Sequence, residues 1–435
     1  MDFILKQLLI KRLSRMNLEE KSRPYPITKE QVWEAFKLVK SKGGSPGVDG
    51  LTIKDVAKEP EKHLYPVWNR LSSGSYFPPA VKRVQIPKGD GSFRSLGIPT
   101  VKDRVAQMVL TKELEEILEP EFSNNSFGYR PNKNAHQAIE QARTNCWNYA
   151  WVIDMDIKGF FDNIDHGLMI RSLRHYTARK HIITYVKRWL KAVVQMEDGS
   201  LLNNEEKGTP QGGVISPLLA NLFLHVVFDK WMEREFPDLP FERYADDIIV
   251  HVGNEKYARF ALRRIRARFE ECKLELHPKK TKLVYCNRKG RNKKRKVKHK
   301  EFDFLGYTFR TRSVQTKDGK LIKGFSPAIS KKSMMKIVKE CFRLKFHRWT
   351  HMGIHQLSKI LAPKIRGWIY YYGRFNKSSL VKVFKILNWR LSKWVFNKYK
   401  RFKKRKVLWY ARKWMREIAA DFSYIFPHWQ HGFTH

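Results

Sequence analysis

Two apolar stretches of this sequence carry aspartates where a strand would bury them, and that conflict limits what the chain can become. "FERYADDIIVHVG" (241–253) sets Asp246 and Asp247 between Phe241 and Tyr244 on one side and Ile248, Ile249, Val250 and Val252 on the other. "WVIDMDIKGFFDNID" (151–165) sets Asp154 and Asp156 in a second apolar run, with Asp162 and Asp165 behind them. Alternation along a strand puts Asp154 and Asp156 on one face. The first stretch predicts a hairpin with its turn at or near the aspartates. An ordinary solvated turn accounts for one such pair. If the two stretches are neighbours in one sheet, three carboxylates converge at one sheet end, and their repulsion demands a counter-charge. Hard oxygen ligands select Mg2+. Two such ions in a carboxylate site serve phosphoryl transfer. Spacing alone leaves open whether Asp154 or Asp156 is the third ligand. Asp162 and Asp165 read as a helix start and its cap.

The charge of the chain narrows its partners. Lys and Arg outnumber Asp and Glu by 86 to 42, a formal charge of +44 over 435 residues. Nucleic acid is the leading anionic partner and a membrane surface the rival. No apolar run reaches the roughly 18 to 20 residues of a membrane helix. The 13 Trp, 17 Tyr and 27 Phe can fill the cores of two or three domains. The cysteines Cys146, Cys272, Cys286 and Cys341 show no C-x2-C spacing. That argues against a structural zinc site or a disulfide framework, and a reducing cytoplasm fits. The basic amphipathic start, "MDFILKQLLIKRLSRMNLEEKSR", lacks a small-residue cleavage site. It reads as a helix that packs on the body or touches RNA, with an organellar presequence as the lesser reading.

Periodicity predicts a mixed α/β body followed by helices. Residues 27–42 read as a helix capped by Thr28, 81–100 as a hairpin turning at Gly89-Asp90-Gly91, and 101–118 as a helix. Further helix is expected over most of 166–195, after a turn within 208–235, and over 255–273. "LELHP", "KLVYC" and "FDFLGYTF" (302–309) each read as a short strand. The expected divisions are a basic extension at 1–26, a fingers-and-palm body at 27–315, a helical unit at 328–400 and a basic aromatic tail at 401–435. In the helical unit, Leu357, Ile360, Leu361, Ile365, Trp368, Ile369 and Tyr372 form one stripe; Leu380, Val383, Phe384, Leu387, Leu391, Trp394 and Val395 form another. "RKGRNKKRKVKHK" (288–300) is a solvated basic loop able to grip RNA. His428, His431 and His435 lack the carboxylate or Cys partners that a metal site would need.

The order and wording of nine segments resemble group II intron-encoded reverse transcriptases, or maturases. Among them are "GSPGVDG" (44–50), "RVQIPKGDGSFRSLGIPTVKDRVAQ" (83–107), "SFGYRPNKNAHQAI" (126–139), "DMDIKGFFDNIDH" (154–166), "GTPQGGVISPLLANLFL" (208–224), "RYADD" (243–247), "FLGYTF" (304–309) and "KIRGWIYYYGRF" (364–375). The resemblance implies an α+β right-hand polymerase, with fingers, an antiparallel palm sheet and an α-helical thumb or domain X. It implies that Asp156, Asp246 and Asp247 are the catalytic residues and hold two Mg2+ ions, with Mn2+ as a substitute. It gives Lys88 and Arg94 the dNTP triphosphate, Phe161 the block against a 2′-hydroxyl, and Gln211 the nascent base pair. Phe304, Leu305 and Gly306 would grip the primer end, and Lys280 would contact backbone or the active-site carboxylates. In the thumb, Arg366, Tyr371 and Arg374 would meet RNA.

The implied function is RNA-directed DNA synthesis on a primer 3′-hydroxyl, joined to maturation and retrotransposition of a group II intron. The implied partners are the intron RNA or another RNA template, a DNA primer or target, and dNTPs, in a bacterial cytoplasm at the nucleoid. Two rival readings are a domesticated polymerase in phage defence or repair, and an RNA-binding splicing cofactor whose polymerase is idle. Many members end in a Cys-rich endonuclease domain; none follows here before His435, so DNA-strand cleavage is not expected.

Overall fold

The computed structural model describes residues 23–87, 91, 93–203, 206–209, 212–287, 297–315, 318–404 and 407–434. The expected N-terminal helix over residues 1–22, Lys88, Gln211 and the basic run 288–296 lie outside the described residues.

The fingers start with α1 (Lys29–Lys42), α2 (Pro60–Ser73) and the hairpin β1 (Val81–Pro87) and β2 (Phe93–Ile98). Thr28 caps α1 reciprocally with Gln31, and Val32, Ala35, Phe36 and Val39 form its buried face. The long α3 (Val101–Leu118) runs through the middle, with Val105, Ala106, Leu110, Leu114 and Leu118 fully buried. The "GSPGVDG" segment lies against the start of this helix. A Cβ on Gly47 would stand 2.6 Å from Thr100 N, so only glycine allows that approach. One buried carboxylate on α3 organises several elements. Asp103 accepts from Tyr76 Oη at 2.8 Å, Trp189 Nε1 at 2.9 Å and Gln107 Nε2 at 2.9 Å. Gln107 Oε1 in turn accepts from Ile215 N at 3.2 Å, fixing the chain just after the "PQGG" segment.

The palm follows: α4 (Ala135–Asn148), β3 (Trp151–Met155), α5 (His166–Tyr176), α6 (Lys180–Leu190), and short strands β4 (Val194–Gln195) and β5 (Leu201–Leu202). Then come α7 (Ser216–Leu224), β6 (Phe241–Tyr244), β7 (Asp247–Val252), α8 (Glu255–Glu271) and β8 (Lys282–Tyr285). The palm sheet has the order β6-β7-β3-β8, antiparallel throughout. Ile153, Met155, Ile248 and Val250 face the large core shared with the fingers. Val152, Ile249 and Val284 face a second core under α4. Asp165 caps α5 by accepting from Leu168 N at 2.8 Å, as its place in the sequence predicts. The long apolar helix expected within 208–235 is interrupted by a π-helical turn, His225–Asp229. The expected strand "LELHP" reduces to one bridge, Leu276 with Ile157.

"FDFLGYTF" is two strands, not one. β9 (Glu301–Phe304) turns at Leu305-Gly306 into β10 (Tyr307–Gln315), which pairs with β11 (Leu321–Ile329). Leu305 at φ +49° and Gly306 at φ +81° both take the left-handed region, as a two-residue hairpin requires. The alternating apolar residues masked this turn, because Leu is a poor signal for positive φ. Gln315, where the sequence suggests that the mixed body ends, closes β10, and β11 carries the sheet on to Ile329. Helices α9 (Lys331–Arg343), α10 (Ile354–Tyr372), α11 (Val381–Lys398) and α12 (Leu408–Asp421) form the thumb around their own core. Leu357, Leu361, Ile365, Leu387, Leu391 and Trp394 are buried there as their spacing predicts, whereas Ile360 is exposed. His428 is also a core residue, bonded to Asn388 Oδ1 at 2.7 Å and stacked on Phe384. Among the described residues, no helix is long and apolar enough to cross a membrane.

Asp103→Ala would leave three buried donors without an acceptor. It is expected to cost about 3 kcal/mol or more of unfolding free energy in urea. A loss under about 1 kcal/mol would contradict the organising role given to this carboxylate.

Candidate active site

The aspartates meet where β3 and β7 end together. Asp154 pairs with Ile249 and Met155 with Ile248, so Asp156 follows at the open end of the ladder, beside Asp247. Tyr244 pairs with Asp247, which makes Ala245-Asp246 a two-residue turn. Ala245 has φ +56°, an unfavourable conformation for a residue with a Cβ. It is held from behind by groups the sequence does not advertise. A Cβ on Gly128 would lie 2.5 Å from Ala245 N, so "FGYR" can lie against the turn only through a glycine.

Beneath the turn, Arg243 is wholly buried. It donates from Nε and Nη2 to Asp229 Oδ1 and Oδ2, at 2.7 and 2.5 Å. Its Nη1 donates to Asn221 Oδ1 at 2.9 Å and to Ala245 O at 3.3 Å. Asn221 Nδ2 donates to Gly128 O at 2.7 Å, closing the clamp. Burial would raise the Asp229 carboxyl, but Arg243, with His225, holds it below the usual carboxylate range. Asp229 ends the π-helical turn, a local widening that often marks functional sites. Arg243→Met alone strands a buried carboxylate and is expected to cost about 3–5 kcal/mol. The double change Arg243→Met with Asp229→Leu should cost less than the single one in the same urea titration; additive losses would speak against a coupled pair.

The turn holds more negative charge than its basic neighbours offset. Burial pushes Asp154 up to about 7; Asp247, Asp303 and Asp156 add to the rise, and Lys282 opposes it. Burial, then Asp246 and Asp156, push Asp247 up to about 6, against Lys332 at the start of α9. Burial also raises Asp246, with Arg94 from the fingers hairpin opposing and Asp156 adding. Asp156 faces Lys280, whose Nζ is 3.3 Å from Oδ2. Such hard oxygen donors short of counter-charge fit divalent cations of the Mg2+ type. Among the described residues, however, no three His, Cys, Asp or Glu side chains already stand around one point as metal ligands.

These elevated carboxyls have a consequence for stability. From an unfolded value of 3.8, a group that titrates near 6 or 7 when folded costs nothing at lower pH. It destabilises the fold progressively as pH rises through that window, by an amount that solvent screening reduces at the partly exposed Asp247. In chelator, Asp247→Asn should therefore gain stability over the parent from about pH 4 to about pH 6 and hold that gain at higher pH, measured as a difference in Tm that grows and then levels off. A pH-independent difference would remove the strain assigned to this carboxylate.

The other expected site residues are dispersed around this centre. Arg94 on β2 is exposed and close enough to act on Asp246. Phe161 is buried edge-to-face with Phe160 at 5.3 Å, and its carbonyl accepts from Thr209 N at 2.9 Å. The residue just before "PQGG" is therefore held on the backbone of Phe161. Gly212 of that segment has φ +119°, and a Cβ there would be 2.3 Å from Gly97 O on the fingers hairpin.

Phe304, Leu305 and Gly306 form the β9–β10 turn, which is tied to the thumb. Ser330 N and Ser333 Oγ both donate to Gly306 O at 3.0 Å. Tyr371, expected to meet RNA, also makes contacts within the protein. It donates from Oη to Leu305 O at 2.9 Å, accepts from Tyr307 Oη at its carbonyl, and stacks on His136 of α4 at 5.1 Å. A half-buried ring engaged on three sides is a joint between palm and thumb. Its neighbour Tyr370, 73% exposed, is the open aromatic face. Arg374 lines a groove with Tyr370 and Lys133, and Arg366 lies in a separate groove on the thumb.

Comparison with known proteins shows the family of the fold. Residues 86–309 match the family model described as reverse transcriptase (RNA-dependent DNA polymerase). Residues 331–414 match the group II intron maturase-specific domain. Protein YkfC of Escherichia coli K12 is 30% identical over 304 residues, covering 59% of this chain and 77% of that protein. The group II intron-encoded protein LtrA of Lactococcus lactis subsp. cremoris is 35% identical over 190 residues, 41% of this chain and 31% of LtrA. The putative COX1/OXI3 intron 1 protein of Saccharomyces cerevisiae is 32% identical over 199 residues, 46% of this chain and 24% of that protein. The chain thus spans under a third of the length of these last two relatives.

Proposed function

The chain belongs to the reverse transcriptase family and carries a group II intron maturase-specific domain; from that premise we propose that it adds dNTPs to a primer 3′-hydroxyl on an RNA template and binds a group II intron RNA as a maturase. The observation that carries the reading is the meeting of Asp156, Asp246 and Asp247 at one sheet end, with Arg94 of the fingers acting on Asp246. These aspartates would hold two Mg2+ ions, or Mn2+, which when bound lower the pKa of the primer hydroxyl and neutralise charge on the departing pyrophosphate.

The protein's own groups do the remaining work by positioning. Arg94 offers a planar fork to the triphosphate, and the family resemblance assigns Lys88 to the same group as a point charge. Lys280 neutralises Asp156 in the absence of ligand and can turn toward an incoming phosphate. Phe161 closes the floor where a 2′-hydroxyl would sit, and Gln211 meets the nascent base pair. The Phe304-Leu305-Gly306 turn steadies the primer end, and its bonds to the thumb couple that grip to thumb position. Arg366 and Arg374 supply phosphate contacts to RNA.

Asp246→Ala should cut primer extension on an RNA template by on the order of 10³-fold or more, the scale on which a preorganised electrostatic group acts. Near-normal extension would remove Asp246 from the site. Phe161→Ala should admit NTPs without loss of dNTP use; unchanged sugar discrimination would reassign this ring to the core alone.

A further inference from the structure

We infer that the thumb carries a second nucleic-acid site: a groove on α10 that takes an unstacked nucleotide of single-stranded RNA. The groove has a volume of about 330 Å³, and its walls include His355, Ser358, Lys359, Arg366, Tyr424 and Gln430. His355, Lys359 and Arg366 recur on one face of the helix. The opposite wall is the chain after α12, a 3-10 turn (Ser423–Ile425) and a short helix (Pro427–Gln430). Ser358 Oγ donates to Ile425 O across the floor, and Gln430 Nε2 donates to Tyr424 O at 3.4 Å. The wall is therefore fixed while the Tyr424 ring stays 62% exposed.

The charge of the groove is one-sided. No carboxylate lines it. Among the described residues, none of its three basic side chains makes an ion pair, whereas Lys364 on the same helix is bonded to Glu340. Cations without internal partners, set beside a bare aromatic face, match a ligand that presents a phosphate and a π surface together. An acidic peptide would use the cations and leave the ring idle.

The groove is also distinct from the polymerising centre. Tyr371 joins the far end of α10 to the palm at Leu305. At 1.5 Å per residue, the groove runs along the helix from Arg366, about 8 Å from that joint, to His355, about 24 Å from it. Tyr424 and Gln430 lie past the matched maturase segment, which ends at residue 414. The inference rests on the protein's being an RNA-binding polymerase and adds a location to it.

The test fills the polymerase cleft with a blunt RNA–DNA template–primer duplex, then titrates a fluorescein-labelled 12-nucleotide oligouridylate by anisotropy. The parent should bind the oligonucleotide. Lys359→Gln with Arg366→Gln should weaken binding at least tenfold and flatten its salt slope by about one to one and a half, since each phosphate contact to a single strand contributes about 0.7. Tyr424→Ala should weaken binding roughly tenfold, and Tyr424→Phe should restore it, because stacking needs the ring and not the hydroxyl. All variants should keep the parent's Tm, and Tyr424→Ala should also keep its extension of a short template with an overhang. Unchanged affinity in the double variant, or Phe as weak as Ala at residue 424, would overturn the site. Failure of the parent to extend would instead count against the polymerase reading, since binding in the groove is read separately.

Discussion

Carboxylates that share the open end of β3 and β7 repel one another, and much of the surrounding structure offsets that repulsion. Lys282 lies across the sheet from Asp154, Lys280 beside Asp156, Lys332 acts on Asp247 and Arg94 on Asp246. These four cations come from β8, the loop before it, the thumb and the fingers. The acidic centre therefore gives each neighbouring part an electrostatic reason to face it. The cations do not complete the neutralisation, since Asp154 and Asp247 remain elevated to about 7 and about 6. Carboxylates so arranged are left short of counter-charge.

Holding the turn in place is a separate mechanical problem. Ala245 is strained, and a strained residue persists only where its surroundings over-determine it. The Asp229–Arg243–Asn221 chain and the close approach of Gly128 supply that constraint from within the core. A similar arrangement recurs at the thumb. Leu305 is also in the left-handed region, and Tyr371, Ser330 and Ser333 hold its turn by bonds from another domain. Both active-site turns thus depend on groups remote in sequence, which links their geometry to the integrity of palm and thumb together.

The parts legible in the sequence were those written in local pattern. Thr28 and Asp165 announce their caps, the alternation of 151–157 and 241–253 gives the central strands, and the aspartates stand out against apolar neighbours. The proposed metal-binding set needed more than pattern, because Asp154 and Asp156 are equivalent by alternation; the resemblance chose Asp156, and the register sets that residue beside Asp247. The clamp was illegible because Arg243, Asp229, Asn221 and Gly128 look like ordinary residues until the fold joins them. The joint at Tyr371 was hidden for a related reason: its hydroxyl meets a carbonyl that only tertiary structure brings near. The Leu305-Gly306 turn was hidden by an apolar residue in a conformation it rarely adopts.

The central claim is that divalent ions resolve the charge conflict at this sheet end. The most direct measurement is Mg2+ titration by calorimetry at pH 6.5, repeated in buffers of different ionisation enthalpy. If Mg2+ displaces protons from the elevated carboxyls, the apparent heat will depend on the buffer and report net proton release. That release should shrink in Asp247→Asn. Binding with no proton release, or release unchanged by that substitution, would contradict the account.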